Sequence, residues 1–135
     1  MVEKILQTVG KRKRAVARAV FRPGKGRVTV NSQPLENFQN EIIRLKMQEP
    51  LLLAGDGWKK WDIRIRVDGG GIMGQAEAVR QAIARGLSQL LGEKVKKQFL
   101  AYDRTLLVSD PRRNEPAKPP HSSWGARRYK QRSKR

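Results

Sequence analysis

The stretch "RAVARAVFRPGKGRVTVN", Arg14 to Asn31, decides the fold, because its first half reads two ways. Arg14, Arg18 and Arg22 share a face at helical spacing, and they share a face in a strand as well. The second half settles the choice. "PGKG" (Pro23–Gly26) is a turn signal, and "RVTVN" alternates with period two. The segment therefore reads as a β-hairpin within a three-stranded meander. Ala15, Ala17, Ala19 and Phe21 face inward, and the three arginines face outward.

Working outward, Leu35, Phe38, Ile42 and Leu45 recur at helical spacing up to Pro50, which forbids simple continuation of a helix. After the turn "AGDG", "WKKWDIRIRVD" alternates again, with Ile63, Ile65 and Val67 inward and Arg64 and Arg66 outward. A long helix comes next. Its apolar stripe is Ala76, Val79, Ile83, Leu87 and Leu90, and Gly92 stops it. Ala78, Ala82 and Gly86 form a neighbouring strip of small residues that permits another element to approach closely. A last helix turns Val95, Phe99, Tyr102 and Leu106 inward and exposes Lys94, Lys96 and Lys97. The order β-β-β-α-β-α-α predicts an α+β sandwich with helices on one face of a mixed sheet.

"GGGIMG", Gly69 to Gly74, satisfies G-x-G-x-x-G between a strand and a helix, with Glu93 about twenty residues on. The dinucleotide reading fails on context, since a second helix stands where a parallel strand is required. A tight strand-to-helix turn whose close backbone approach excludes side chains is the plainer reading. A phosphate meeting bare amides at a helix N-terminus is a third. No cofactor is expected. His121 is the only histidine, and it lies between "PP" and "SS" with no rigid partner. No carboxylate pair has a spacing that argues for acid–base or metal chemistry, so an enzyme has no positive support. Cysteine is absent, which removes disulfides and thiolate zinc sites.

Charge speaks more clearly. The 135 residues carry 30 Lys or Arg against 12 acids, a formal net charge of +18. That surplus attracts polyanions, nucleic acid first and an anionic membrane surface second. The membrane reading is the weaker one, because no apolar run approaches the roughly 18 residues of a spanning helix. "MVEKILQTVGKRKR" also lacks the apolar core and cleavage site of a signal peptide, so the expected location is the cytoplasm.

Composition shifts near Ser109. Residues 109–135 hold nine Lys or Arg, two acids and four prolines, with Trp124 and Tyr129 as the sizeable apolar bodies. Such a segment buries too little to offset its ordering entropy. The chain therefore divides into a globular domain, 1–108, and an extended basic tail, 109–135. In the domain, Lys11, Arg12, Lys13, Arg14, Arg18, Arg22, Lys25 and Arg27 run without an intervening acid. Eight like charges interleaved with strand residues read as a polyanion surface rather than a solvated face. Arginine predominates in the strands, which suits bidentate phosphate contacts and stacking. Trp58 and Trp61, flanking Lys59 and Lys60, read either as base-stacking platforms or as core. A DNA architectural protein would show a similar charge. Such proteins insert apolar wedges, however, and this tail is nearly wedge-free.

These details resemble a known family. "GKRKRAVARAVFRPGKGRVTVN" followed by "PLENF" is similar to the N-terminal strands of the S-nine family of small-subunit ribosomal proteins. "GGGIMGQAEAVRQAIARGL" resembles its central signature, "SDPRRNE" its tail entry and "QRSKR" its terminus. The resemblance spans essentially the whole chain. "KPPHSSWG" (Lys118–Gly125), Tyr129 and Lys130 depart from the bacterial pattern and resemble archaeal and eukaryotic relatives; the compact N-terminus favours an archaeal source.

The resemblance implies a four-stranded mixed sheet with a left-handed β-α-β crossover, like the second domain of small-subunit ribosomal protein five. It implies a structural, non-enzymatic ribosomal protein that is a monomer within the ribosome, beside other proteins of the small-subunit head. Its rRNA contacts, in the 3′ major domain, would come from the basic run Lys11–Arg27 together with Gly70, Arg112 and Arg113. Arg127, Arg128, Lys130 and Arg132 would lie along rRNA in the tail. Ser133, Lys134 and Arg135 would meet the tRNA of the peptidyl site.

Overall fold

The computed structural model describes residues 5–113. Five strands form one mixed sheet: β1 (Leu6–Arg12), β2 (Ala15–Pro23), β3 (Val28–Val30), β4 (Gln33–Pro34) and β5 (Trp61–Asp68). Three α-helices accompany them: α1 (Glu41–Ala54), α2 (Ile72–Leu91) and α3 (Glu93–Tyr102). The sheet order is β1-β2-β5-β3-β4, five strands where four were expected. The extra one is β4, a two-residue strand.

The inward face of β2 is as predicted: Ala15, Ala17, Ala19 and Phe21 are fully buried. Ile63, Ile65 and Val67 of β5 are buried beside them, and Arg64 and Arg66 are exposed. The partnership of β2 is different. It pairs antiparallel with β1 and β5, while β3 runs parallel to β5. The expected meander and the hairpin between "RAVARAVFR" and "RVTVN" are therefore replaced by a skip of one strand. Alternation specifies which face of a strand is buried, not which strand lies beside it. "PGKG" is a crossing loop over the start of β5. Asp62 of that strand accepts the amides of Lys25, Gly26 and Arg27 at 2.9, 3.1 and 3.1 Å. Two true hairpins lie elsewhere. Lys13–Arg14 joins β1 to β2, with Lys13 at φ 54°, and Asn31–Ser32 joins β3 to β4, at φ 51° and 68°. Positive φ is what two-residue hairpins require.

α2 lies across β1 and β2 on the buried face, and the small strip has the predicted use. A Cβ on Gly10 of β1 would stand 2.1 Å from the Ala78 carbonyl oxygen, and one on Gly86 would stand 2.1 Å from the Phe21 ring. Gly92 ends α2 at φ 93°. The buried face of α1 is not the predicted one. Ile43, Met47, Pro50 and Leu51 point into the core, while Ile42 and Leu45 are 69% and 46% exposed. Leu35 precedes the helix in a 3-10 turn, and α1 itself starts at an Asn40 cap whose Oδ1 accepts from the amides of Ile42 and Ile43. Pro50 sits inside the helix with its ring buried, and that packing offsets the backbone bond the ring removes. In α3, Phe99 is buried and Lys94, Lys96 and Lys97 are exposed, but Tyr102 is 57% exposed. Leu106 is buried from a following 3-10 turn, Arg104–Leu106, because the helix ends at Tyr102.

Candidate nucleic-acid interface

The helices cover one face of the sheet and leave the other open. Strand alternation then decides which side chains occupy the open face. Arg18 and Arg22 of β2 share it with Arg64 and Arg66 of β5. Arg18 is directly opposite Arg66, Val20 is opposite Arg64, and Arg22 is opposite Asp62. On the other flank Val9 pairs with Arg18, and exposed Lys11 pairs with Val16. Among the described residues, none of Lys11, Arg18, Arg22, Arg64 and Arg66 forms a salt bridge. Like charges directly across a sheet repel. The nearest acid, Asp62, is occupied by the crossing-loop amides. Its bonds from Arg27, then Lys25 and Gly26, hold its carboxyl below the usual range against the opposing effect of burial.

Two further groups extend this face. Lys25 and Arg27 project from the crossing loop at one end, exposed. At the other end the tip of the β1–β2 hairpin carries Lys13 and Arg14, both exposed. The glycine turn packs against that tip. Gly69 and Gly70 have φ of 79° and 68°, and a Cβ on Gly70 would stand 3.0 Å from the Ala15 nitrogen. Close approach thus accounts for these glycines. After α2 the chain enters α3, so the second parallel strand of a dinucleotide fold is not formed there. Trp58 and Trp61 both pack, half-buried, against the core.

Arg12 is set apart from the other predicted residues. Its side chain turns to the helical side, bonding Glu77 at 2.7 Å and pairing with Asp110. Arg112 is exposed but clasps Asp110 through Nε and Nη2, at 2.9 and 2.6 Å to Oδ2. Arg113 donates to the Lys13 carbonyl. Arg127, Arg128, Lys130, Arg132, Ser133, Lys134 and Arg135 lie outside the described residues. Arg64 and Arg66 are the positions that the sequence reading turned outward without assigning to the surface. The signal was the alternation "RIRVD", whose outward members fall into register with those of β2.

No described helix is long and apolar enough to cross a membrane. Among the described residues no three acidic or histidine side chains converge as a metal site.

A family model described as ribosomal protein S9/S16 matches residues 10–135. The chain is 50% identical over 151 aligned positions to the small ribosomal subunit protein uS9 of Aeropyrum pernix, covering 99% of both chains. It is 45% identical over 133 positions to the uS9 protein of a Methanococcus maripaludis strain, covering 98% of this chain and 99% of that one. Both sources are archaea, as the tail pattern suggested. The chain therefore belongs to the S9/S16 family of ribosomal proteins, structural constituents of the ribosome rather than enzymes.

Proposed function

We propose that the domain, residues 1–108, binds small-subunit rRNA through the open face of the sheet. The observation that carries this reading is the Arg18–Arg66 opposition, flanked by Arg22 and Arg64, with no salt bridge to any of the four among the described residues. Phosphates supply the missing negative charge, and arginine matches their geometry bidentately. Lys11, Lys13, Arg14, Lys25, Arg27 and the Gly70 turn extend the surface along both ends. The crossover from β3 through α1 to β5 takes the left-handed sense of the family fold. Arg112 and Arg113 begin the tail, residues 109–135, in which Arg127, Arg128, Lys130 and Arg132 run along rRNA of the subunit head. Ser133, Lys134 and Arg135 reach tRNA in the peptidyl site. The protein works as a monomer in the cytoplasmic ribosome beside other head proteins.

The test is binding to a 3′ major-domain rRNA fragment across a salt series. Replacing Arg18, Arg64 and Arg66 together with Gln should flatten the log–log salt slope by about two to three units while the melting cooperativity stays intact. An unchanged slope in a folded variant would remove this face from the interface.

A further inference from the structure

α2 is an apolar helix interrupted by Arg80 and Arg85, and arginine in a half-buried position needs acceptors for its fork of donors. Arg85 finds three from three separate places. Its Nη1 donates to the Val9 carbonyl at 2.7 Å, its Nε to the Leu107 carbonyl at 3.0 Å, and its Nη2 to Ser109 Oγ at 3.1 Å. Val9 belongs to β1, the strand at the sheet edge, so this carbonyl bonds a helix side chain and not another strand. One turn earlier Gln81 does the same for the edge, its Oε1 accepting from the Lys11 amide at 2.8 Å and from Ser109 Oγ at 3.4 Å.

The contacts continue in step along β1. Leu107 and Ser109 are tied at the level of Val9 and Lys11, Asp110 pairs with Arg12, and Arg113 donates to the carbonyl of Lys13. Residues 107–113 therefore run beside the edge strand in its own direction and leave the body at the hairpin tip. Backbone pairing plays no part here: side chains of α2 and β1 hold the segment. Arg80 secures its root separately, bonding Glu49 at 2.7 Å and Asp103 at 3.2 Å.

We infer that Arg85, seconded by Arg12, is a positioning clamp that fixes the direction in which the tail leaves the domain. This rests on the reading that the tail acts at a distance from the domain. A polar tail has no packing of its own to choose a direction, so the root has to choose it. A guanidinium does so better than an ammonium, because its planar fork meets three acceptors at once.

The chain contains no cysteine, so two can be introduced cleanly. Spin labels at Gln89→Cys and Arg112→Cys in the full chain report the spread of distances between α2 and the tail root. The distribution should be narrow in the parent and markedly broader in Arg85→Gln, with Arg85→Lys between them and all three melting cooperatively. In label-free subunits, Arg85→Gln should bind peptidyl-site tRNA several-fold more weakly. Added to a deletion of residues 133–135, it should cost nothing more. Should Arg85→Gln fail to fold, the paired change Ser109→Ala with Asp110→Asn removes acceptors on the tail side and should broaden the distances equally. A distribution that stays narrow in the folded variants overturns the clamp. A broadened one with undiminished tRNA binding overturns its role in function, provided the deletion alone weakens binding. If the deletion alone does nothing, the tRNA reading is what fails, and the distances still decide the clamp.

Discussion

Arg18 of β2 and Arg66 of β5 are directly opposite partners on the uncovered face of the sheet. In the free protein this opposition is a liability, and it makes sense only where an anion lies over it. Arg66→Thr removes the repulsion and installs a good strand former. It should stabilise the free domain by about 0.2–1 kcal/mol, a rise of roughly 1–5 °C in melting temperature at low salt. Added salt should stabilise the parent more than the variant, because it screens what the substitution deletes. The same variant should bind rRNA less well. Calorimetry and a binding titration on one preparation check both, and a lower melting temperature would mean that Arg66 has a structural partner.

Gly10 is where β1 touches α2, with backbone on both sides of the contact. A Cβ there would meet the Ala78 carbonyl oxygen at 2.1 Å and the Ala82 nitrogen at 2.6 Å. Neither can move without displacing the central helix. Gly10→Ala should therefore destabilise the domain by about 1–3 kcal/mol or more, as overpacking does. Gly71→Ala is the control, since nothing lies within 4 Å of the added carbon and its φ is −93°. Chemical denaturation of the pair should show a large shift for the first and almost none for the second.

Four carboxylates are held below their usual range in the folded chain. Asp62 owes this to the Arg27, Lys25 and Gly26 amides, which prevail over burial. In Glu77 and Asp103 burial pushes upward and is outweighed, by Lys46 and Arg12 for the first and by Thr105 and Arg80 for the second. Asp110 is depressed furthest, chiefly by Arg112. A depressed carboxyl binds its proton more readily in the unfolded chain. Its contribution is therefore complete above the unfolded value and disappears as pH falls toward the folded one. Stability should be level from neutrality to about pH 5 and then decline on acidification. Asp62→Asn should shrink that decline. A melting series from about pH 7 to about pH 2 tests the sign, and stability that rises on acidification would contradict it.

The parts of the fold that could be read in advance are those where one residue pattern determines one outcome. β2, β5 and α2 have clear periods, and their buried faces agree with them. β1 was hidden because its inward residues are Thr8 and Gly10, chosen for contact with α2 and carrying no apolar signal. Strand order was hidden for a different reason: β5 inserts between β2 and β3, and alternation is blind to neighbours. The facing of α1 slipped by one position, since Ile42 and Ile43 are both apolar and the tertiary contact selects between them. The basic surface was half legible. Arg14, Arg18 and Arg22 announce themselves in one run, but Arg64 and Arg66 join them only through pairing between strands far apart in sequence. Arg12 looks like its neighbours in sequence and is drawn inward by Glu77 and Asp110, which no local pattern foretells.

Ser133, Lys134 and Arg135 carry the final prediction. The segment from Ser109 onward is too polar to contribute a core, so deleting the last three residues should leave the melting temperature of the domain unchanged. Two of the three carry positive charge, and that charge acts only where phosphates surround it. A contact to phosphate reads no base, so all tRNAs should be strengthened alike. Subunits assembled with the truncated protein should hold peptidyl-site tRNA more weakly by about 1–3 kcal/mol, the range of one or two charge-assisted bonds. The deficit should shrink as salt rises, because the parent loses with salt what the variant already lacks. Filter binding of several tRNAs at two salt concentrations measures both. Equal affinity for parent and truncated subunits at both concentrations would place the terminus away from tRNA, and a deficit confined to one tRNA would replace phosphate contact with base recognition.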